Sequence, residues 1–229
     1  AAADARFRRL LGAVTAPAPL LAVACGESCS FALSSDGVLH AWGSGDHGEM
    51  GVAEATELSE EDDGELYRPW PRPVAALAGV RIAAVAASSH VLALSDSGAL
   101  YAWGRAADGV LGIGPLPNLP RDADGHPFQP SPVRVEVEAM TEGERFVQIA
   151  AADRHSLGCT ASGGAWAWGS VALSRVGLPD EELPDDGGGG GGGGVVQDGA
   201  VWRPTRIPGL QHTEVSHVAA GRAHSLAVS

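Results

Sequence analysis

The sequence predicts an all-β chain built of β-propeller blades, and three regularities predict it. A five-residue strand phrase occurs four times: Cys29-Ser30-Phe31-Ala32-Leu33, His90-Val91-Leu92-Ala93-Leu94, His155-Ser156-Leu157-Gly158-Cys159 and His224-Ser225-Leu226-Ala227-Val228. Thirteen residues after the first residue of each of the first three stands Trp-Gly: Trp42-Gly43, Trp103-Gly104 and Trp168-Gly169. Nine residues after each Trp stands an apolar-Gly pair: Met50-Gly51, Leu111-Gly112 and Val176-Gly177. Offsets held three times make this a repeat protein, and the repeat must be understood before any site is sought.

Within each copy the elements follow in order. Residues 20–25, 81–87, 145–152 and 214–220 are strand candidates that precede the phrase. The phrase is the next strand. A turn then follows at Ser35-Asp36-Gly37, Asp96-Ser97-Gly98 and Ser162-Gly163-Gly164, and the third strand ends at the Trp. Gly at each tip fits a two-residue hairpin loop, which needs positive φ. Pro73-Val74, Pro132-Val133 and residues 204–207 supply a fourth, Pro-containing strand. Three or four short strands per unit, with the phrases 61, 65 and 69 residues apart, describe propeller blades.

These residues resemble the RCC1 (regulator of chromosome condensation) repeat family, whose pattern is Gly-x-x-His-Ser-x-Ala-Leu, a Gly turn, an apolar-Trp-Gly strand and Leu-Gly. Gly221-Arg222-Ala223-His224-Ser225-Leu226-Ala227-Val228 carries that pattern closely. Gly26 holds the Gly position in copy one, whereas Ala87 and Ala152 replace it in copies two and three; Cys29 replaces the His in copy one. The resemblance covers roughly residues 20 to 229 and is specific for fold more than for activity. It implies a seven-bladed propeller, of which this chain holds three full repeats and the start of a fourth. The expectation is therefore a piece of a longer propeller, with the remaining blades or another subunit covering the open sheet edges.

Composition narrows the functions. Fifteen basic against 28 acidic residues give a formal charge of −13, which argues against direct nucleic-acid binding and suits a basic protein partner. All the basic residues are Arg, so a Walker-A loop and Schiff-base chemistry are excluded. High-GC coding accounts for the missing Lys. Three Cys at irregular spacing do not make a secreted disulfide framework, which points to an intracellular setting. Cys25-x3-Cys29 lacks a second ligand pair and is better explained by structural thiols. No apolar run reaches membrane-spanning length, and no membrane partner is expected. Residues 1–20 carry Arg6, Arg8 and Arg9 with one acid, Asp4. They suit a linker or a helix packed on a neighbour, or else the remnant of an organelle-targeting leader.

Each copy carries an insertion in one slot: residues 52–72, 113–131 and 178–203. Equivalent slots of a radial repeat lie on one side of the propeller. The first holds Glu60, Glu61, Asp62 and Asp63; the third holds an acidic run and eight consecutive glycines, 187–194, that suit a flexible spacer. These acids, with Trp70 and Trp202 outside the repeat register, are the candidate partner-binding residues. Loops tolerate length, and acid runs are usually solvated, so loop charge alone is weak evidence.

No catalytic constellation survives. Asp153, His155 and Ser156 look triad-like, yet consecutive strand residues point to opposite faces. His90, His155 and His224 share one repeat position with Cys29, and so are expected to bond neighbouring backbone as structural residues. No enzyme activity, cofactor or metal site is predicted. The leading expectation is a scaffold module that offers propeller loops to a protein partner within a larger assembly. The alternative implied by the resemblance is guanine-nucleotide exchange on a small GTPase, as in the founding members. Ultraviolet photoreception, known in a plant branch with Trp beside the repeat His, is set aside because Arg222-Ala223-His224 and Asp153-Arg154-His155 carry no Trp.

Overall fold

A computed structural model describes residues 18–52, 59–60, 66–178, 196–197 and 199–229. Its regular structure begins with the hairpins. Ser34, Ser95 and Thr160 each donate their amide to the carbonyl four residues on, at Val38, Ala99 and Gly164, and their own carbonyls accept from Gly37, Gly98 and Gly163. The loops are therefore three residues long, not two. Only the third residue has positive φ, +84°, +85° and +82° respectively. This is the loop in which a tight turn is followed by one left-handed Gly.

Four antiparallel sheets follow one another along the chain. The first holds β1 (Leu20–Cys25), β2 (Cys29–Ser34), β3 (Leu39–Ser44), β4 (Ser59–Glu60) and β5 (Leu66–Pro73), in spatial order β1-β2-β3-β5-β4. The second holds β6 (Ile82–Ala87), β7 (His90–Ser95), β8 (Leu100–Arg105) and β9 (Phe128–Arg134) in sequence order. The third holds β10 (Phe146–Ala151), β11 (His155–Thr160), β12 (Ala165–Ser170), β13 (Val196–Gln197) and β14 (Ala200–Arg206), in spatial order β10-β11-β12-β14-β13. The fourth pairs β15 (His217–Ala220) with β16 (Ser225–Val228). The three full blades and the opening of a fourth match the expected propeller arc.

The outer strands start earlier than the sequence suggests. Leu66, Phe128 and Ala200 open β5, β9 and β14, so the ends of the insertions at 52–72, 113–131 and 178–203 are strand, and Trp70 and Trp202 sit on strands. Prolines hid this: β5 alone contains Pro69, Pro71 and Pro73. Proline forfeits a ladder donor, but at the outer edge of a blade that donor has little to pair with, and its loss blunts the edge.

The core lies between blades. Phe31, Leu33, Met50, Val91, Ala93 and Trp103 belong to one buried cluster across the first seam. Leu92, Leu111, Phe146, Leu157, Trp166 and Trp168 belong to a second, larger cluster across the next seams. Phe31 meets Trp103 edge-on at 6.3 Å, and Phe146 meets Trp166 edge-on at 6.1 Å, the arrangement that aromatic quadrupoles favour. At the ends of the arc, positions buried elsewhere are exposed. Leu226 of β16 is 60% exposed, against 0–1% for its counterparts Phe31, Leu92 and Leu157. Val23 of β1 is 69% exposed, against 8% for its counterpart Ile149.

Candidate functional site

The strand registers Cys29↔Gly43, His90↔Gly104 and His155↔Gly169 put the repeat His or Cys and the Trp-Gly step at one end of each of the first three sheets. The insertions leave from that same end. The insertions therefore start from equivalent points of the three blades.

At this end each seam carries side-chain hydrogen bonds from one blade to the next. Trp168 Nε1 and Ser156 Oγ of the third blade both donate to the carbonyl of Val110 in the second, each at 2.8 Å. His90 Nε2, from the second blade, lies 2.7 Å from Ser156 Oγ. The hydroxyl proton is committed to Val110, so His90 must donate from Nε2, and its Nδ1 is left buried without a partner. The pattern recurs one blade on, where His155 Nε2 lies 3.0 Å from Ser225 Oγ, which donates to the carbonyl of Arg175. On the first seam Trp103 Nε1 donates to the Glu49 carbonyl at 2.8 Å. The side chain of the repeat His thus reaches across the seam to the Ser of the next blade, and His155 also meets the His224 backbone there. His224, just before β16, is exposed. The Gly of the apolar-Gly pair makes room for this network: Gly112 has φ +69°, and a Cβ there would lie 2.9 Å from Trp168 Nε1.

This Ser–His pairing is not a catalytic dyad. Burial, and then His155, holds His90 down at about 3; burial, and then Arg175, holds His155 down at about 4. Neither imidazole is a base poised near neutrality. Ser156 and both His side chains are fully buried, and His90 Nδ1 lacks the carboxylate that would orient it. Burial also pushes the Cys29 thiol up to about 12, which leaves it an inert apolar residue. Among the described residues no group of three or more His, Cys, Asp or Glu is disposed to hold a metal.

The loop side carries the remaining candidates. Glu60 pairs with Leu66 in the short β4–β5 hairpin, while Glu61, Asp62 and Asp63 lie outside the described residues. Trp70, on β5, is 50% exposed. Trp202, two blades away on β14, is half-buried and lines a cavity of about 510 Å³ with Ile113, Leu116, Pro117, Leu119 and Arg121 of the second insertion. The two Trp therefore do not form one patch. Arg154 bridges the second and third blades on the same side, its Nε and Nη2 at 2.8 and 2.9 Å from the Asp108 carboxylate. The sequence reading missed Ser156, Ser225 and the carbonyl positions Glu49, Val110 and Arg175. The only visible trace was the His-Ser dipeptide.

The Regulator of chromosome condensation (RCC1) repeat matches residues 97–159 and 162–228, more than half of the chain. The chain belongs to the RCC1 repeat family. Each match runs from a hairpin loop across the seam into the second strand of the next sheet, so a sequence repeat straddles two blades. The chain is 30% identical to human E3 ubiquitin-protein ligase HERC2 over 212 residues, 90% of this chain and 4% of that protein. It is 30% identical to the Ultraviolet-B receptor UVR8 of Arabidopsis thaliana over 163 residues, 70% of this chain and 32% of that one. The crystal structure of Prp20p from Saccharomyces cerevisiae, described with its binding to Gsp1p and histones, superposes with a TM-score of 0.67 at 28% identity. That match covers 91% of this RCC1-repeat chain and 43% of Prp20p. The chain thus spans less than half the length of each of these relatives.

Proposed function

We propose that this RCC1-repeat chain is a non-catalytic interaction module that presents its insertion loops to a protein partner within a larger assembly. The observation that carries this is the common register, which sends all three insertions out from one end of the blades. The serine hydroxyls and the histidine Nε2 atoms of the seams at that end are meanwhile engaged in interblade bonds. A charge of −13 favours a basic partner, drawn in by long-range attraction that salt weakens. Further blades or another subunit would cover the exposed ends at Val23 and Leu226. The test is binding of histones, as basic probes, to the full-length protein and to a variant with Glu60, Glu61, Asp62 and Asp63 neutralised. Salt-sensitive binding that weakens in the variant supports the reading. Binding that ignores both salt and neutralisation removes it.

A second reading is guanine-nucleotide exchange on a small GTPase, favoured by the likeness to Prp20p, whose structure was described with its binding to Gsp1p. A nucleotide-release assay across a panel of small GTPases decides it: no acceleration eliminates exchange.

A further inference from the structure

The cavity beside Trp202 has the size of a ligand site, and its walls are already in place. Its volume of about 510 Å³ falls within the roughly 300–1,000 Å³ typical of ligand pockets. One wall is the stretch from Pro115 to Pro120, where three prolines fix their own φ. Within it Asn118, at φ +66°, completes a tight turn begun by Pro117. Both ends of the wall are pinned. Gly114 donates its amide to the Trp202 carbonyl at 2.9 Å, and Phe128 donates to the Pro120 carbonyl at 3.0 Å. A wall built this way has little freedom left to lose when something binds.

The lining is hydrocarbon and indole with a single charge. Ile113, Leu116 and Leu119 line it together with Trp202, and Leu116 is left 42% exposed. Arg121 is the one charged residue of the described lining. Its Nη1 donates to the Gly125 carbonyl, which anchors the guanidinium to the turn. Arg81, Arg134, Arg154 and Arg203 each have a carboxylate partner, whereas among the described residues Arg121 has none. The rest of its planar fork offers paired donors of the spacing a carboxylate accepts.

We propose that this cavity captures the carboxyl terminus of a protein partner, with the terminal carboxylate on Arg121 and a bulky apolar last side chain against Trp202 and Leu116. One cation calls for one anion, and a chain of charge −13 repels a segment that carries several. A chain terminus supplies a single negative charge beside an apolar side chain, while the rest of the partner stays basic. The apolar contact supplies affinity, and the carboxylate fixes orientation. Only the basic character of that partner rests on the interaction-module reading.

Peptide pools test this on the full-length protein. Every pool carries Lys at alternate upstream positions. Two end in Phe or Leu, each made as free acid and as amide; another ends in Ala as the free acid. By fluorescence polarisation the Phe- and Leu-ended acids are expected to bind several-fold tighter than their amides and than the Ala-ended acid. Arg121→Gln should erase the acid–amide difference. Leu116→Ser, at an exposed position, should shrink the difference between apolar and Ala ends. If Arg121→Gln does not fold, Leu116→Asp decides the matter, because its carboxylate should abolish the preference for the acid. Equal binding of acid and amide, or of Phe- and Ala-ended acids, overturns the proposal, as does an acid preference that survives in a folded Arg121→Gln variant. Salt-sensitive histone binding alongside equal binding of acid and amide strikes the cavity alone. An acid preference without histone binding strikes the acidic-surface reading alone.

Discussion

His90 of the second blade and Ser156 of the third meet across their seam at 2.7 Å, with the serine proton passed on to the Val110 carbonyl. The serine therefore satisfies two buried groups at once. Removing its hydroxyl leaves the His90 Nε2–H without an acceptor, a loss of about 1–3 kcal/mol. Ser156→Ala should lower stability by that order in denaturant unfolding. His90→Phe with Ser156→Ala should cost less than the sum of the two single changes, because each single change strands the other partner. Additive effects would show that the pair is not coupled.

The first seam has swapped both partners together. Cys29 stands at the His position, and Val91 stands where Ser156 and Ser225 stand in later blades; both Cys29 and Val91 are buried in one apolar cluster. Cys29→His alone should destabilise, by overpacking of about 1–3 kcal/mol and by stranding an imidazole N–H. Adding Val91→Ser supplies the acceptor, and its hydroxyl can donate to the Glu49 carbonyl as Ser156 does to Val110. A double-mutant cycle is expected to show a favourable coupling of about 1 kcal/mol. No coupling would mean the seam's geometry, and not its chemistry, sets these residues.

The blades were legible because the Trp, the Gly and the strand phrase repeat at fixed offsets that match the period of an antiparallel sheet. What those residues do was not legible. His90 and Ser156 are 66 residues apart, and His155 and Ser225 are 70 apart. A sequence repeat reports equivalence of positions, whereas these contacts join inequivalent positions on successive blades. Trp70 and Trp202 looked like loop residues because proline masks the outer strands. Their exposure differs through what packs beside them, and composition is silent on that. His47 precedes the first insertion whereas Asp122 and His126 lie in the second, with no shared motif, so only the fold brings them together.

The two repeat tryptophans with visible carbonyl acceptors should not be equal. Val110 receives both Trp168 and Ser156, so Trp168→Phe leaves its carbonyl one donor. Glu49 receives Trp103, and Val91 at the serine position has no hydroxyl to add. Trp103→Phe is therefore expected to cost about 1–3 kcal/mol, the larger loss, with Trp168→Phe nearer 1 kcal/mol. Midpoints of chemical unfolding at constant m-value check the order; the reverse order would show that carbonyl satisfaction does not govern these seams.

Acid should loosen the seams through their histidines. An unfolded histidine titrates near pH 6.5, whereas His90 is held at about 3 and His155 at about 4 by burial. Between those values the unfolded chain binds protons that the folded chain refuses, so stability falls as pH drops from about 6.5 and levels off for each group below its folded value. Above about 6.5 both groups are neutral in both states and their contribution to stability is full. Each contributes at most about 1.4 kcal/mol per pH unit. His90→Gln retains a donor for Ser156 but has no proton to gain, so its stability should decline less steeply between pH 6 and 4.5, by up to one proton's worth of slope. Thermal or urea unfolding across that range measures the difference. Parallel slopes for wild type and variant would mean that His90 is solvated enough to titrate normally, and the buried interblade bond to Ser156 would have to be abandoned with it.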